Sequence, residues 1–161
     1  MSEIQRGTLV PPGEGESVWL LGDLFEVKLA GEDTGRAYSM VEETSPPQGG
    51  PPQHLHRNVD ETLYVAEGEV EVLLGDGTTR ASAGALAYVP KGTLHTFKNI
   101  GTSASRVVAI LSPGGFEKFF LEAGDPATEG SSAPEGEPDV GRIVEIGQKY
   151  GLEIPLPPPG Q

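Results

Sequence analysis

Apolar and polar residues alternate in short bursts along most of this chain, and a turn-forming residue interrupts them every few positions. Residues 18–21 and 24–29 flank Gly22-Asp23 and predict two short strands, and residues 36–43 alternate as a third. Strand-like runs follow at 61–66, 70–74, 79–82, 86–89, 93–98 and 105–111, separated by Gly68, Asp76-Gly77, Gly84, Lys91-Gly92 and Gly101. Strands this short and this regularly spaced predict an all-β antiparallel sandwich or barrel. Residues 45–53 hold four prolines and predict a loop, because proline has no N–H to give to a sheet ladder.

The last third is poorer in apolar residues. Residues 116–122 predict a short helix after Pro113-Gly114-Gly115, its aromatic stripe packing on the barrel. Residues 124–138, rich in Gly, Pro, Ser and Glu, predict a flexible linker. Asp139 is placed to cap a last helix whose apolar positions are Val140, Ile143, Val144 and Ile146, with Gly151 just past its end. The proline-rich tail, 155–161, predicts an extended polyproline terminus. No segment repeats. The chain therefore divides into an arm (1–15), one barrel with a following helix (16–123), a linker (124–138), and a C-terminal helix with its tail (139–161).

Composition narrows the chemistry. The 161 residues suffice for one domain with one sizeable core, and 23 glycines with 15 prolines favour many turns over long helices. With no cysteine, disulfides, thiolate ligands and a cysteine nucleophile are excluded. A net charge of −13 repels phosphate backbones, so nucleic acid is not an expected partner. It says little about a small substrate, because a bound metal can reverse the field in its own pocket. No apolar run follows the N-terminal charges, and no stretch approaches the roughly 20 apolar residues that span a bilayer. The expected location is the cytoplasm, without membrane attachment.

The chain has three histidines: His54, His56 and His95. On a strand, His54 and His56 would point to one face. Glu61 opens the next apolar run, and His95 follows the turn at Pro90-Lys91-Gly92. If these strands share the inner wall of a small barrel, three imidazole nitrogens and one carboxylate oxygen converge. Such a set suits Fe, Ni, Cu or Zn and leaves coordination positions open, as reactive sites do.

These residues resemble the paired motifs of the cupin superfamily. The first motif runs His54-Leu55-His56, four residues, Glu61, six residues, Gly68. The second runs Gly84, five residues, Pro90-Lys91-Gly92, two residues, His95, three residues, Asn99. One departure is that Gln48 stands where the family pattern has glycine six residues before the first histidine. The resemblance implies a single cupin (jelly-roll) barrel with short C-terminal helices. It also implies one divalent transition metal (Fe, Mn, Ni, Co, Cu or Zn) held by His54, His56, Glu61 and His95.

The 45–53 loop and the segment 112–120 are further similar to small bacterial cupins of the quercetinase-like kind. That similarity implies an O2-dependent dioxygenase acting on a flavonol-like or other small enolisable compound, with Glu61 as the catalytic base. Candidate pocket residues are Leu63 and Phe97, which share faces with Glu61 and His95, together with Met40 and Phe116; Val65 and Tyr38 are further candidates. Two other readings stay open. One is a metal-dependent isomerase or lyase of a small carbonyl or sugar compound, and the other is a non-catalytic ligand-binding cupin. By family habit a homodimer is expected, formed through residues 18–29 unless those strands simply extend the barrel.

Overall fold

A computed structural model describes residues 6–155. Its strands are β1 (Glu16–Leu20), β2 (Asp23–Leu29), β3 (Ser39–Ser45), β4 (Leu55–His56), β5 (Asp60–Glu67), β6 (Glu69–Leu74), β7 (Gly77–Ser82), β8 (Leu86–Val89), β9 (His95–Asn99), β10 (Ser105–Ser112), β11 (Asp125–Pro126) and β12 (Leu152–Glu153). Two helices follow the main run of strands, α1 (Glu117–Ala123) and α2 (Val140–Lys149). A single-turn 3-10 helix, Gly31–Thr34, was not foreseen from the sequence. The proline tail lies almost wholly outside the described residues.

The strands form a seven-stranded sheet in the order β11-β1-β2-β3-β10-β5-β8, a three-stranded sheet β7-β6-β9, and the short pair β12-β4. Every pairing is antiparallel. The two larger sheets close on each other as a jelly roll. Burial alternates residue by residue along β1, β3, β9 and β10, because successive side chains leave opposite faces of the pleat. β7, with Thr78, Thr79 and Arg80 all exposed, is an edge of its sheet. β1 and β2 extend the large sheet.

The third strand begins later than its sequence pattern predicts. Arg36 is left-handed (φ 67°) and its carbonyl accepts from Gly114 N, so the chain turns through 36–38 before pairing starts at Ser39. The inward row of β3 is Ser39, Val41, Glu43 and Ser45. Met40 consequently lies on the opposite face, between its cross-strand partners Leu29 and Ile110.

The linker segment opens with β11, which covers the edge of β1, and Trp19 Nε1 donates to Ser131 Oγ. Asp139 caps α2 as the sequence indicates, its side chain accepting from Arg142 N at 3.0 Å. Arg142 in turn donates to the carbonyls of Glu122 and Ala123, satisfying the end of α1. Ile143 is buried, and the chain after α2 returns to the barrel, where Leu152 pairs with His56. Glu117 is buried but fully engaged, accepting from Gly31 N and Gly115 N at 2.7 Å each. Among the described residues, no helix is long and apolar enough to cross a membrane.

Candidate metal centre

Each member of the cluster is placed by backbone pairing. His54 and His95 exchange both backbone hydrogen bonds, His54 N to His95 O at 3.0 Å and His95 N to His54 O at 2.9 Å, which sets their side chains side by side. His56 sits on β4, held by Leu152 on one side and by Gly92 N, which donates to its carbonyl at 2.7 Å. Glu61 lies on β5 between Val89 and Leu111. The left-handed Gln48 (φ 68°) and Gly49 exchange backbone bonds with Asn99 and tie the proline loop to β9. A glutamine thus adopts the conformation for which the family pattern uses glycine. Gly50 cannot be replaced so freely, since a Cβ there would overlap the Phe97 carbonyl. The Asn99 side chain closes the turn, donating to Ser45 O and Ser103 O and accepting from Gly101 N.

One ligand atom from each of His54, His56, Glu61 and His95 lies within 4.8 Å of all the others. His54 is half-buried and the other three are buried. His54 Nδ1 donates to the Pro52 carbonyl at 2.8 Å, and His95 Nδ1 to the Thr93 carbonyl at 2.9 Å. A carbonyl only accepts, so each Nδ1 carries its proton and each Nε2 is the nitrogen available to the cluster. Glu61 Oε2 is 2.8 Å from His95 Nε2 and 3.0 Å from His56 Nε2. The contact to His56 is close but not aligned as a hydrogen bond, leaving both ring nitrogens of His56 buried without a partner.

Electrostatics points the same way. Burial lowers the His54 pKa to about 4, assisted by the neighbouring His95 and His56, so this ring is neutral at pH 7. Burial alone would raise the Glu61 carboxyl, but its contacts with His56 and His95 outweigh burial and hold it well below the usual carboxylate range. Burial would lower His95, and the Glu61 contact outweighs it to raise this group. The cluster gathers lone-pair donors that need a positive charge between them. An orphaned buried imidazole nitrogen, two rings oriented by carbonyls and a fixed carboxylate together fit a divalent transition metal.

The cavity over the cluster is largely apolar. Leu63, Phe97 and Phe116 line it, as do Val41 and Ala109. Phe116 meets the His56 ring edge-on, with centroids 4.5 Å apart. Met40, expected here from the sequence, does not line the cavity; the start of β3 at Ser39 turns it outward. Val65 faces inward among the aliphatic core residues, while Tyr38 is 37 % exposed. Sequence reasoning missed Ile143, Leu152 and Ile154, through which the C-terminal segment walls the cavity. It also missed Asp23 and Glu43. The available signal was the tandem Glu42-Glu43, because the pleat must send one of two adjacent strand residues inward.

With two sheets closed into a jelly roll and this ligand set on the inner wall, residues 41–111 match the family model of the cupin domain. Over that segment, a little under half of the chain, the protein is similar to the cupin domain. It is 27% identical over 114 residues to quercetin 2,3-dioxygenase of Bacillus subtilis, a match covering 71% of this chain and 34% of that protein. To quercetin 2,3-dioxygenase of Aspergillus japonicus it is 26% identical over 118 residues, covering 69% and 33%. The chain therefore spans about a third of the length of these two curated relatives. Among solved structures, KdgF from Halomonas sp. superposes with a TM-score of 0.63 at 20% identity, over 70% of this chain and 99% of that one; this likeness is one of fold.

Proposed function

We propose that this protein is a cupin and a metal-dependent dioxygenase acting with O2 on a flavonol-like or other small enolisable compound. The observation that carries the reading is the convergence of three imidazoles and one carboxylate on an apolar cavity. The modest identity to two quercetin 2,3-dioxygenases supports the substrate class. His54, His56, Glu61 and His95 would hold the metal. When bound, such a metal would supply Lewis acidity, lowering the pKa of a coordinated hydroxyl, and a route to O2.

Glu61 is the base in this reading. Held by His56 and His95, its carboxylate is a weak base; it gains basicity when Oε2 leaves those rings for the substrate hydroxyl, whose proton it then takes. The carbonyls of Pro52 and Thr93 keep the His54 and His95 rings oriented during that exchange. Leu63, Phe97 and Phe116 would contact an aromatic substrate and exclude water from the carbanion-like face it exposes.

The same reading takes the protein as a cytoplasmic homodimer. The association is supported by an exposed apolar stripe, Tyr64, Leu86 and Tyr88, at the β8 edge of the large sheet. Light scattering that gives a monomer would remove this part.

Elemental analysis of the purified protein, followed by oxygen-electrode traces with a flavonol panel after loading with Fe, Mn, Co, Ni or Cu, tests the whole. The expected result is near-stoichiometric metal and O2 uptake that needs both metal and flavonol. Bound metal without O2 uptake would move the reading to an isomerase, lyase or binding cupin. No bound metal under any condition would end it.

A further inference from the structure

One buried group in the cavity has no part in the reading above. Register sets the inner surface in rows across β5, β10 and β3: Glu61–Leu111–Ser39, then Leu63–Ala109–Val41, then Val65–Val107–Glu43. Glu43 therefore stands two rows from Glu61, with an apolar row between them. Two rows correspond to roughly 13 Å of strand. Glu43 is 7 % exposed and lines the same cavity as the four ligands, and its Oε1 has no hydrogen-bond partner. Leu24 pairs with Thr44, so Asp23 falls beside Ser45 on the face that carries Glu43, and the Asp23 and Glu43 side chains interact. Asp23 is 2 % exposed.

Two carboxyls buried side by side in an apolar wall cannot both be charged. Burial first, Asp23 second and the charge of Glu61 third push Glu43 well above the ordinary carboxyl range, and burial raises Asp23 too. The pair retains a proton, and the oxygen without a partner belongs to Glu43. The cavity thus has two polar stations, the metal set and Glu43, separated by Val41, Leu63 and Ala109.

We propose that Glu43, oriented by Asp23, is a substrate-binding residue whose unpartnered Oε1 hydrogen-bonds an oxygen function on the part of the substrate remote from the metal set. This rests on the flavonol-like reading and narrows it to ring compounds with a second, distal phenolic hydroxyl, which can donate to that oxygen. An apolar molecule with one oxygen pair would leave a buried acid unpaired, which is costly.

Anaerobic binding titrations on the zinc-loaded protein test it with two probes. Quercetin carries phenolic hydroxyls on its outer rings, whereas unsubstituted flavonol keeps only the chelating hydroxyl and carbonyl. Glu43→Leu is expected to weaken quercetin about three- to tenfold and flavonol less than about twofold. Glu43→Gln, which keeps an uncharged donor and acceptor, is expected to bind quercetin nearly as the wild type does. Unchanged zinc content and melting temperature exclude misfolding. Equal loss for both probes, or no loss, overturns the proposal. If the wild type binds neither probe, the flavonol reading fails by itself. Glu43 is then judged by infrared spectroscopy with catechol as the probe. A protonated-carboxyl band that Glu43→Gln removes and catechol shifts sustains the binding role, and a band that is absent or unmoved overturns it.

Discussion

The inside of this barrel has two halves built on the same strands. In one, Phe25, Val41, Leu111, Phe116 and Phe119 lie around the ligand cluster, with Ile143 and Leu152 added from the C-terminal segment. In the other, Leu63, Val65, Val70, Val72, Val89, Phe97, Val107 and Ala109 pack together, every one of them apolar. β5 passes through both, its inward residues running Glu61, Leu63, Val65, and β9 does the same with His95 and Phe97. A strand can therefore move from chemistry to plain core within two residues. The pleat isolates each inward position in its own row, and a row answers only to its neighbours across the sheet. Ligand positions and the all-apolar cluster are thus distinct along each strand, although they meet across the sheet, where Glu61 lies beside Val89 and where Leu63, Phe97 and Ala109 serve both core and cavity wall.

That separation can be broken. The largest expected effect is from Glu61→Gln, which should lower turnover by about a hundredfold or more while leaving part of the metal bound. Steady-state kinetics on metal-loaded protein checks it, and unchanged turnover would remove Glu61 as the base. His95→Ala should come next, losing most bound metal with an intact β-sheet circular-dichroism spectrum; full occupancy by elemental analysis would show that the four-ligand set is wrong. In the other half, Val107→Ala removes two buried methyl groups and should cost about 2 kcal/mol of stability without altering metal stoichiometry. Denaturant unfolding with parallel metal analysis would reveal any coupling between the halves.

A weaker response is expected from pH. The His54 pKa, about 4 in the folded chain, lies below its ordinary 6.5, so the unfolded state binds more protons between these values. Its contribution to metal-free stability is therefore fullest above pH 6.5 and declines as pH falls toward about 4. The raised His95 works in the opposite sense, its contribution being full below 6.5 and lost as pH rises through its folded value. Metal-free His54→Ala should accordingly lose less melting temperature than the wild type over the acid window, and an identical slope in both would contradict the burial of that ring.

Most strands were legible because turn residues mark their ends and alternation marks their faces. The 86–89 run coincides with β8, and Asp139 caps α2 in sequence and structure alike. β3 shows where alternation misleads. Tyr38 and Met40 look like its inner face, yet Ser39, Glu43 and Ser45 are the buried positions. A hydrophobic pattern assumes an apolar interior, and beside this cavity the interior is partly polar. Asp23 was hidden for a related reason, since an aspartate after glycine looks like a turn residue and here opens β2 from inside the barrel.

The sequence alone marks His54, His56, Glu61 and His95 as candidate ligands, because their spacing is a local pattern: two residues on one strand face, a carboxylate opening the next strand, a histidine after a tight turn. Tertiary structure alone decided what surrounds that set. The inward row of β3 depends on where Arg36 ends its turn, and the wall from Ile143, Leu152 and Ile154 depends on α2 carrying the chain back to β4. Register and long-range return are set by contacts between distant segments, and a slip of one residue exchanges inside for outside.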